Sequence, residues 1–276
     1  MIGTMTRASH AHSDSRVVDS ARHPVARRIA DVLRTKSARP KVCIIDDFEN
    51  IEQAVRGGVE LDSLYATASA QGSMLRELHG VGSDVPRYVL DDGVAANLFG
   101  GQKRSRMFAL ARAPKPAGLR DLLRASGDIL VLDGVRMLGN VGAITRTARA
   151  FGAAGVVVLE SGLSTALDRR LIRASRGLVF TIPVVLATRE RFIHFNEQER
   201  LSLAQFCADA PDSLHDIGRV RERLALVLGS ERDGVSEEIG SLTTRRYAIP
   251  MEPGVESLNV SVAAGIALHA RSASRS

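Results

Sequence analysis

Asp133–Phe151 reads DGVRMLGNVGAITRTARAF, and the apolar run Ile129-Leu130-Val131-Leu132 leads into it. Apolar positions at helical spacing follow, Ile144, Ala148 and Phe151, so the pattern predicts a strand, a turn holding Asn140 and Gly142, and a helix over Ala143–Phe151. α/β proteins place their chemistry at such strand-to-helix turns. Taken alone, the same residues also suit a plainer role, with Asn140 capping the helix, Gly142 loosening the turn and Arg146 a solvated cation.

Downstream of this stretch the alternation of strands and helices continues. Strands are expected at Gly155–Leu159, Leu178–Val185, Leu201–Phe206, Leu224–Leu228 and Tyr247–Ile249. Helices are expected at Asp168–Ser175, Glu190–Glu199, near Ile217–Arg223, around Ser236–Ile239 and at Leu258–Ala270. Upstream, a basic amphipathic helix over Val25–Leu33 precedes strands at Val42–Ile45, Leu61–Thr67, Pro86–Leu90 and Met107–Ala111. Between them fall helices at Phe48–Arg56, capped by Asp47 and ended by Gly57-Gly58, at Ser73–His79 and at Gly93–Leu98. Both halves read as α/β, the first with a mostly parallel sheet. Residues 1–21 lack periodicity and read as a disordered tail. Residues 22–112 form the first domain, 113–122 a Pro- and Gly-containing linker, and 123–276 the second domain.

The 276 residues are 45% hydrophobic, enough to bury a core in each domain, and carry a formal net charge of +6. Residues 1–41 hold nine Arg or Lys against three acids, which favours a polyanionic partner. No apolar run approaches the ~20 residues of a membrane span, and the N-terminus lacks the apolar core of a secretory signal, so the cytoplasm is the expected compartment. Cys43 and Cys207 stand far apart without metal-ligand spacing and read as buried thiols; no metal site is expected.

Three loops follow strands of the second domain and share a small, polar, Gly-containing character: Leu138–Gly142, Gly229–Gly234, and Pro250–Gly254 running into Glu256–Asn259. A parallel sheet brings all three to its carboxyl edge, where they can line one pocket. Common nucleotide sites are disfavoured. Gly229–Gly234 has the glycine spacing of a phosphate loop but continues Val235-Ser236 where Lys is required, and no G-x-G-x-x-G follows the strand at Ile129–Leu132. A nucleophile elbow and a zinc-protease motif are also missing. The loops offer backbone groups, the polar side chains of Asn140, Asn259, Ser257 and Ser230, the carboxylate Glu231 and the cation Arg146. That set can hold a neutral or cationic small molecule beside a phosphate or hydroxyl of a nucleic acid. Ser257 can also cap the closing helix, and Glu231 can serve as a first-turn acid.

The ordered motifs N-x-G-x-x-x-R (Asn140, Gly142, Arg146), L-G-S-E-x-x-G (Leu228–Gly234), and I-P-M with E-S-L-N-V-S-V-A (Ile249–Met251, Glu256–Ala263) resemble those of the SPOUT RNA ribose methyltransferases. With the basic first domain and Arg173–Gly177 (RASRG), the chain is similar more narrowly to the thiostrepton/nosiheptide resistance methyltransferases of actinomycetes. The resemblance implies S-adenosylmethionine-dependent 2′-O-methylation of an adenosine ribose in the thiopeptide-binding region of 23S ribosomal RNA. It also implies a homodimer, a deep trefoil knot in the C-terminal domain, and an N-terminal ribosomal-protein-like RNA-binding fold. Arg146 would approach the target ribose or phosphate, acting electrostatically in preference to accepting the proton, and Asn140 would orient that arginine or the ribose. Glu231, Ser257 and Asn259 would hold the site, with Leu228, Gly229, Ser230, Ile249, Met251, Leu258 and Phe206 contacting the cofactor. Arg27, Arg28, Arg39, Phe99, Lys103, Arg104 and Arg176 are the expected RNA contacts, although Phe99 reads more readily as a core aromatic at a helix end. A SPOUT methyltransferase acting on another rRNA or tRNA ribose, a non-catalytic RNA-binding protein and an α/β enzyme acting on a small metabolite remain as alternatives.

Overall fold

The computed structural model describes residues 16–72, 81, 84–100 and 105–272. The helix expected at Ser73–His79, the cations Lys103 and Arg104, and the first fifteen residues of the expected tail lie outside the described residues. The chain forms two sheets, each covered by helices.

The N-terminal sheet contains, among the described residues, β1 (Arg16–Val18), β2 (Val42–Asp46), β3 (Leu61–Thr67), β4 (Arg87–Leu90) and β5 (Met107–Arg112), in the order β1-β4-β3-β5-β2. Its helices are α1 (Pro24–Arg34), α2 (Phe48–Arg56) and α3 (Asp92–Phe99). Three expectations change here. Arg16–Val18, within what reads as tail, is a strand, because β1 pairs in parallel with β4. The sheet is mixed: β4 runs parallel to β1 and β3, but β5 is antiparallel to both β3 and β2. Strand direction leaves no trace in a segment such as β5, whose first five residues are all buried. Asp47 does not cap α2 through its side chain; it occupies the left-handed region at φ 62° instead.

The C-terminal sheet contains β6 (Ile129–Asp133), β7 (Gly155–Leu159), β8 (Val184–Ala187), β9 (Ser202–Phe206), β10 (Asp212–Ser213), β11 (Leu224–Gly229) and β12 (Arg245–Ala248). Every pairing is parallel, in the order β10-β12-β9-β11-β6-β7-β8. Both faces are covered, which explains the continuous apolar runs. Leu130 and Leu132 of β6 enter one core with Val156, Val158, Leu226 and Leu228. Ile129 and Val131 enter the opposite core with Val157, Leu159, Ala225 and Val227. The helices are α4 (Leu138–Ala150), α5 (Arg169–Ala174), α6 (Arg189–Glu199), α7 (Glu237–Gly240) and α8 (Val260–Ser272).

The expected strand Leu178–Val185 is instead a 3-10 turn, Leu178–Phe180, followed by β8. Pro183 has no N–H to donate to a ladder, and Val179 and Phe180 pack onto the N-terminal core. The expected linker also carries structure. Leu119–Arg124 is a 3-10 turn whose Leu119 and Leu122 are buried in the C-terminal core.

The halves meet along α5. Ile172 is buried in the N-terminal core, and Arg169 donates to Asp46 at 2.6 and 2.9 Å. Asp46 is fully buried, and burial pushes its carboxyl above the ordinary range while the hydrogen bonds and charge of Arg169 pull it back. In the C-terminal half, Arg271 of α8 is 2% exposed and clasps buried Asp128 at 2.8 and 3.0 Å.

Candidate active site

β6 and β11 are neighbours whose following segments diverge, so the carboxyl edge between them is where strand order reverses and a crevice opens. The cleft itself, about 280 Å³, lies on the β9 side of β11, lined from the carboxyl ends of β9, β11 and β12 and from the segment leading into α8. All seven residues expected to hold a cofactor line it: Leu228, Gly229, Ser230, Ile249, Met251, Leu258 and Phe206. The expected convergence of loops therefore holds for the segments after β11 and β12.

The loop after β11 closes on itself. Ser230 donates its N–H to the Gly234 carbonyl at 3.0 Å, and Gly234 returns the bond at 3.1 Å. A side chain on Gly229 would strike the backbone of Gly234, which itself sits at φ 66°. Only glycine at both positions permits this fold of the loop. The loop presents Glu231, whose Oε1 accepts from Asn140 Nδ2 at 2.5 Å. Asn140 Oδ1 in turn accepts from Asn259 Nδ2 at 3.2 Å, and Asn259 Oδ1 accepts from the Ser261 N–H at 2.9 Å. One hydrogen-bonded chain thus ties residues far apart in sequence into a rigid rim.

This geometry revises several local readings. α4 begins at Leu138, so Asn140 and Gly142 lie inside the helix and not in the turn before it. Gly142 serves a crossing: an added Cβ would overlap the Cβ of Ala174 in α5 and stand 2.5 Å from its carbonyl carbon. Ser257 lines the cleft but does not cap α8, which starts at Val260 and takes its side-chain cap from Asn259.

Arg146 is exposed and does not line the cleft. Six residues of α-helix separate it from Asn140, about 9 Å along the axis and about a third of a turn out of phase. Among the described residues it has no hydrogen-bond or ion-pair partner. Of the expected RNA contacts, Arg27 and Arg39 are exposed, and Arg28 is exposed with an ion pair to Asp62 at 2.8 Å. Arg176 stands at φ 51° and reaches Glu49 of α2 at 3.3 Å. Phe99 is not available to stack on a base. It is 2% exposed, edge-on to Phe108 at 5.2 Å, and covered by the Arg169 guanidinium at 4.5 Å. Of the two readings the sequence allowed, base stacking and a core aromatic at a helix end, the second holds.

Two contributors were not singled out from the sequence. Asp133, buried at the end of β6, accepts from Ser236 N–H at 2.7 Å and from Arg189 Nε at 2.7 Å, and so anchors the far end of the β11 loop. Its position directly after an apolar strand was the available signal. Glu256 lines the cleft opposite the loop carrying Glu231. The lining contains these two carboxylates and no Lys, Arg or His among the described residues, so it suits a cationic ligand and repels a polyphosphate. Among the described residues no three His, Cys, Asp or Glu side chains gather as metal ligands, and no helix is long and apolar enough to cross a membrane.

Comparison with known proteins agrees with this architecture. Residues 15–125 match the family described as thiostrepton-resistance methylase, N terminus, and residues 128–269 match the SpoU rRNA Methylase family. The 23S rRNA (adenosine(1067)-2′-O)-methyltransferase of Streptomyces laurentii is 42% identical over 250 residues, 90% of this chain and 92% of the relative. The enzyme of the same description from Streptomyces azureus is 39% identical over 249 residues, with the same coverage of both chains. The SpoU methyltransferase AviRb from Streptomyces viridochromogenes, solved in complex with the cofactor AdoMet, superposes with a TM-score of 0.77 over 92% of this chain and 98% of its own. At 21% identity that likeness speaks to the fold alone. With its C-terminal half matched from 128 to 269 and a full-length relative at 42% identity, the chain belongs to the SpoU rRNA methylase family.

Proposed function

We propose that this protein transfers a methyl group from S-adenosylmethionine to the 2′-hydroxyl of an adenosine in 23S ribosomal RNA, and so protects the ribosome from thiopeptide antibiotics of the thiostrepton type. The observation that carries this reading is the cleft at the carboxyl edge of β11, acidic at its polar rim and apolar below, in a chain 42% identical to a named 23S rRNA adenosine 2′-O-methyltransferase. S-adenosylmethionine, when bound, supplies a methyl group already activated on a positively charged sulfur. Leu228, Ile249 and Leu258 give apolar surface for its base, and Glu231 and Glu256 complement its positive charge.

The protein's own tasks are alignment and proton management. The Asn259–Asn140–Glu231 chain fixes the rim against which the ribose is set. Arg146, without a partner among the described residues, is the cation that lowers the proton affinity of the 2′-hydroxyl or grips the adjacent phosphate. It acts while charged, because a guanidinium holds its proton too tightly to serve as a proton acceptor. Arg27, Arg28, Arg39 and Arg176 contribute to RNA binding through phosphates. A homodimer is part of this reading and is supported by apolar exposure around the catalytic helix: Met137 at 65%, Phe151 at 37%, and Val262 and Ile266 of α8 at 50% and 36%. The trefoil knot belongs to the same reading. It is supported by the return of the chain after β12 past the Gly229–Val235 loop to pack α8 on α4. The division into an RNA-binding domain, a linker over 113–122 and a methyltransferase domain over 123–276 is retained, with the first domain extended back to Arg16. An enzyme acting on ribosomal RNA works in the cytoplasm.

The test is labelled methyl transfer to a 23S rRNA fragment spanning the thiopeptide-binding region, with mapping of the blocked 2′-hydroxyl. Transfer to one adenosine is expected, and Arg146→Ala should reduce it by about 10²-fold or more with cofactor affinity retained. No transfer by the wild-type protein would overturn the function. A wild-type rate in Arg146→Ala would overturn the role of that residue alone.

A further inference from the structure

Apart from the cofactor cleft, a cavity of about 610 Å³ opens at the seam between the two halves, within the roughly 300–1,000 Å³ typical of ligand sites. One wall is the end of α1 and the segment leading to β2, with Thr35, Lys36 and Ser37. The other is α5 and the segment before it, with Ser164, Thr165 and Arg173. Leu33 and Pro40 add apolar surface to the first wall. The two cavities have no lining residue in common.

Arg173 decides the chemistry of this groove. Its side chain is 19% exposed, and its ion-pair partner, Asp46, stands 3.8 Å away with its oxygens already engaged by Arg169. No hydrogen bond forms at that distance, and among the described residues the guanidinium has no other acceptor. Five donors in a mostly enclosed guanidinium match an acceptor with several oxygens, such as a phosphate. Lys36, exposed on the opposite wall, also lacks an acceptor among the described residues. The acid lining the groove, Asp168, is committed to Arg170 at 3.1 and 2.8 Å, so it does not oppose an anion strongly. Cations on both walls, hydroxyls between them and apolar surface at one end are the elements that hold a nucleotide.

We propose that the seam groove binds an unpaired nucleotide of the RNA substrate, distinct from the one that is methylated, with its phosphate between Arg173 and Lys36 and its base against Leu33 and Pro40. The inference rests on the RNA methyltransferase reading and deepens it. Because the walls belong to different halves, a bound nucleotide joins the RNA-binding domain to α5. That helix packs against α4 at Gly142, two residues and about half a turn from Asn140. RNA carrying the correct unpaired loop would thus brace the helix that presents the catalytic side chains.

The test measures affinity of the full-length protein for the 23S rRNA fragment over a salt series, with Lys36→Gln and Arg173→Gln. Each variant should lose several-fold in affinity, and the slope of log K against log salt should fall by about 0.7–0.9 per cation removed. S-adenosylmethionine affinity and thermal midpoint should hold. A duplex RNA of the same length should not distinguish the variants from wild type. If Arg173→Gln loses stability, Lys36→Gln and Ser164→Glu decide, since both side chains are exposed. An unchanged slope in a stable variant, or equal losses on duplex RNA, overturns the groove even if methylation proceeds. Loss of slope in a protein that never methylates RNA overturns the function and leaves the groove standing.

Discussion

Gly142→Ala tests the link between helix packing and chemistry, because its sign is opposite to the ordinary expectation. In an unconstrained helix interior, replacing glycine by alanine stabilises by about 0.5–1 kcal/mol. At this position the added methyl would stand 2.5 Å from the carbonyl carbon and 2.8 Å from the carbonyl oxygen of Ala174, and would overlap its Cβ. Carbon atoms pack at about 3.5–4.0 Å, so α4 and α5 must part by about 1 Å. Overpacking of this kind costs about 1–3 kcal/mol, leaving a net loss of up to about 2.5 kcal/mol once helix propensity is credited. The displaced helix carries Asn140, whose 2.5 Å bond to Glu231 and 3.2 Å bond from Asn259 define the rim. A misplacement of about 1 Å at a catalytic constellation costs about 10²-fold in rate. Urea unfolding and single-turnover methyl transfer, run on the same preparation, read both quantities. A variant more stable than wild type, or one that transfers methyl at the wild-type rate, would refute the reasoning.

Two further outcomes follow from buried groups. Arg271→Met leaves Asp128 buried without its cation and should cost about 3–5 kcal/mol in urea unfolding, while the pair Arg271→Met with Asp128→Asn recovers part of the loss. A loss below about 1 kcal/mol in the single variant would mean that the pair does not hold α8 in place. Burial pushes the Cys43 thiol up to about 12, so it stays protonated and should resist iodoacetamide in the native protein at pH 8, as read by peptide mass mapping. Cys207, whose thiol burial also raises, lines the cofactor cleft; its slower-than-free alkylation should be slowed further by S-adenosylmethionine. Rapid labelling of Cys43 would show that the N-terminal core opens readily.

Much of the local architecture is legible in the residues. α2 at Phe48–Arg56, β3 at Leu61–Thr67 and β7 at Gly155–Leu159 have the bounds expected from periodicity. Gly229, Ser230, Met251 and Leu258 were also reachable as cleft residues, because strands followed by Gly-containing loops in a parallel sheet must present those loops at one edge, whereas Phe206, Leu228 and Ile249 came from the family resemblance. Resemblance to a known family then supplied the chemistry, which periodicity could not have done. Errors arose where a segment's surroundings outweighed its own pattern. Val179 and Phe180 look like strand but are drawn into the N-terminal core.

By itself, the sequence determined the alternation of elements, the apolar cores and the polar loops of the cleft, since these follow from nearest-neighbour periodicity and turn chemistry. Tertiary structure alone decided which charges meet. Asp46 and Arg169 are 123 residues apart, Asp128 and Arg271 143, and Asp133 and Arg189 56, and no local pattern pairs them. It also decided that Gly142 serves a helix crossing, that Arg146 stands off the cleft, and that Arg173 and Lys36 line one groove. These outcomes depend on how whole elements pack, because burial makes a charge costly unless its partner arrives from elsewhere in the chain.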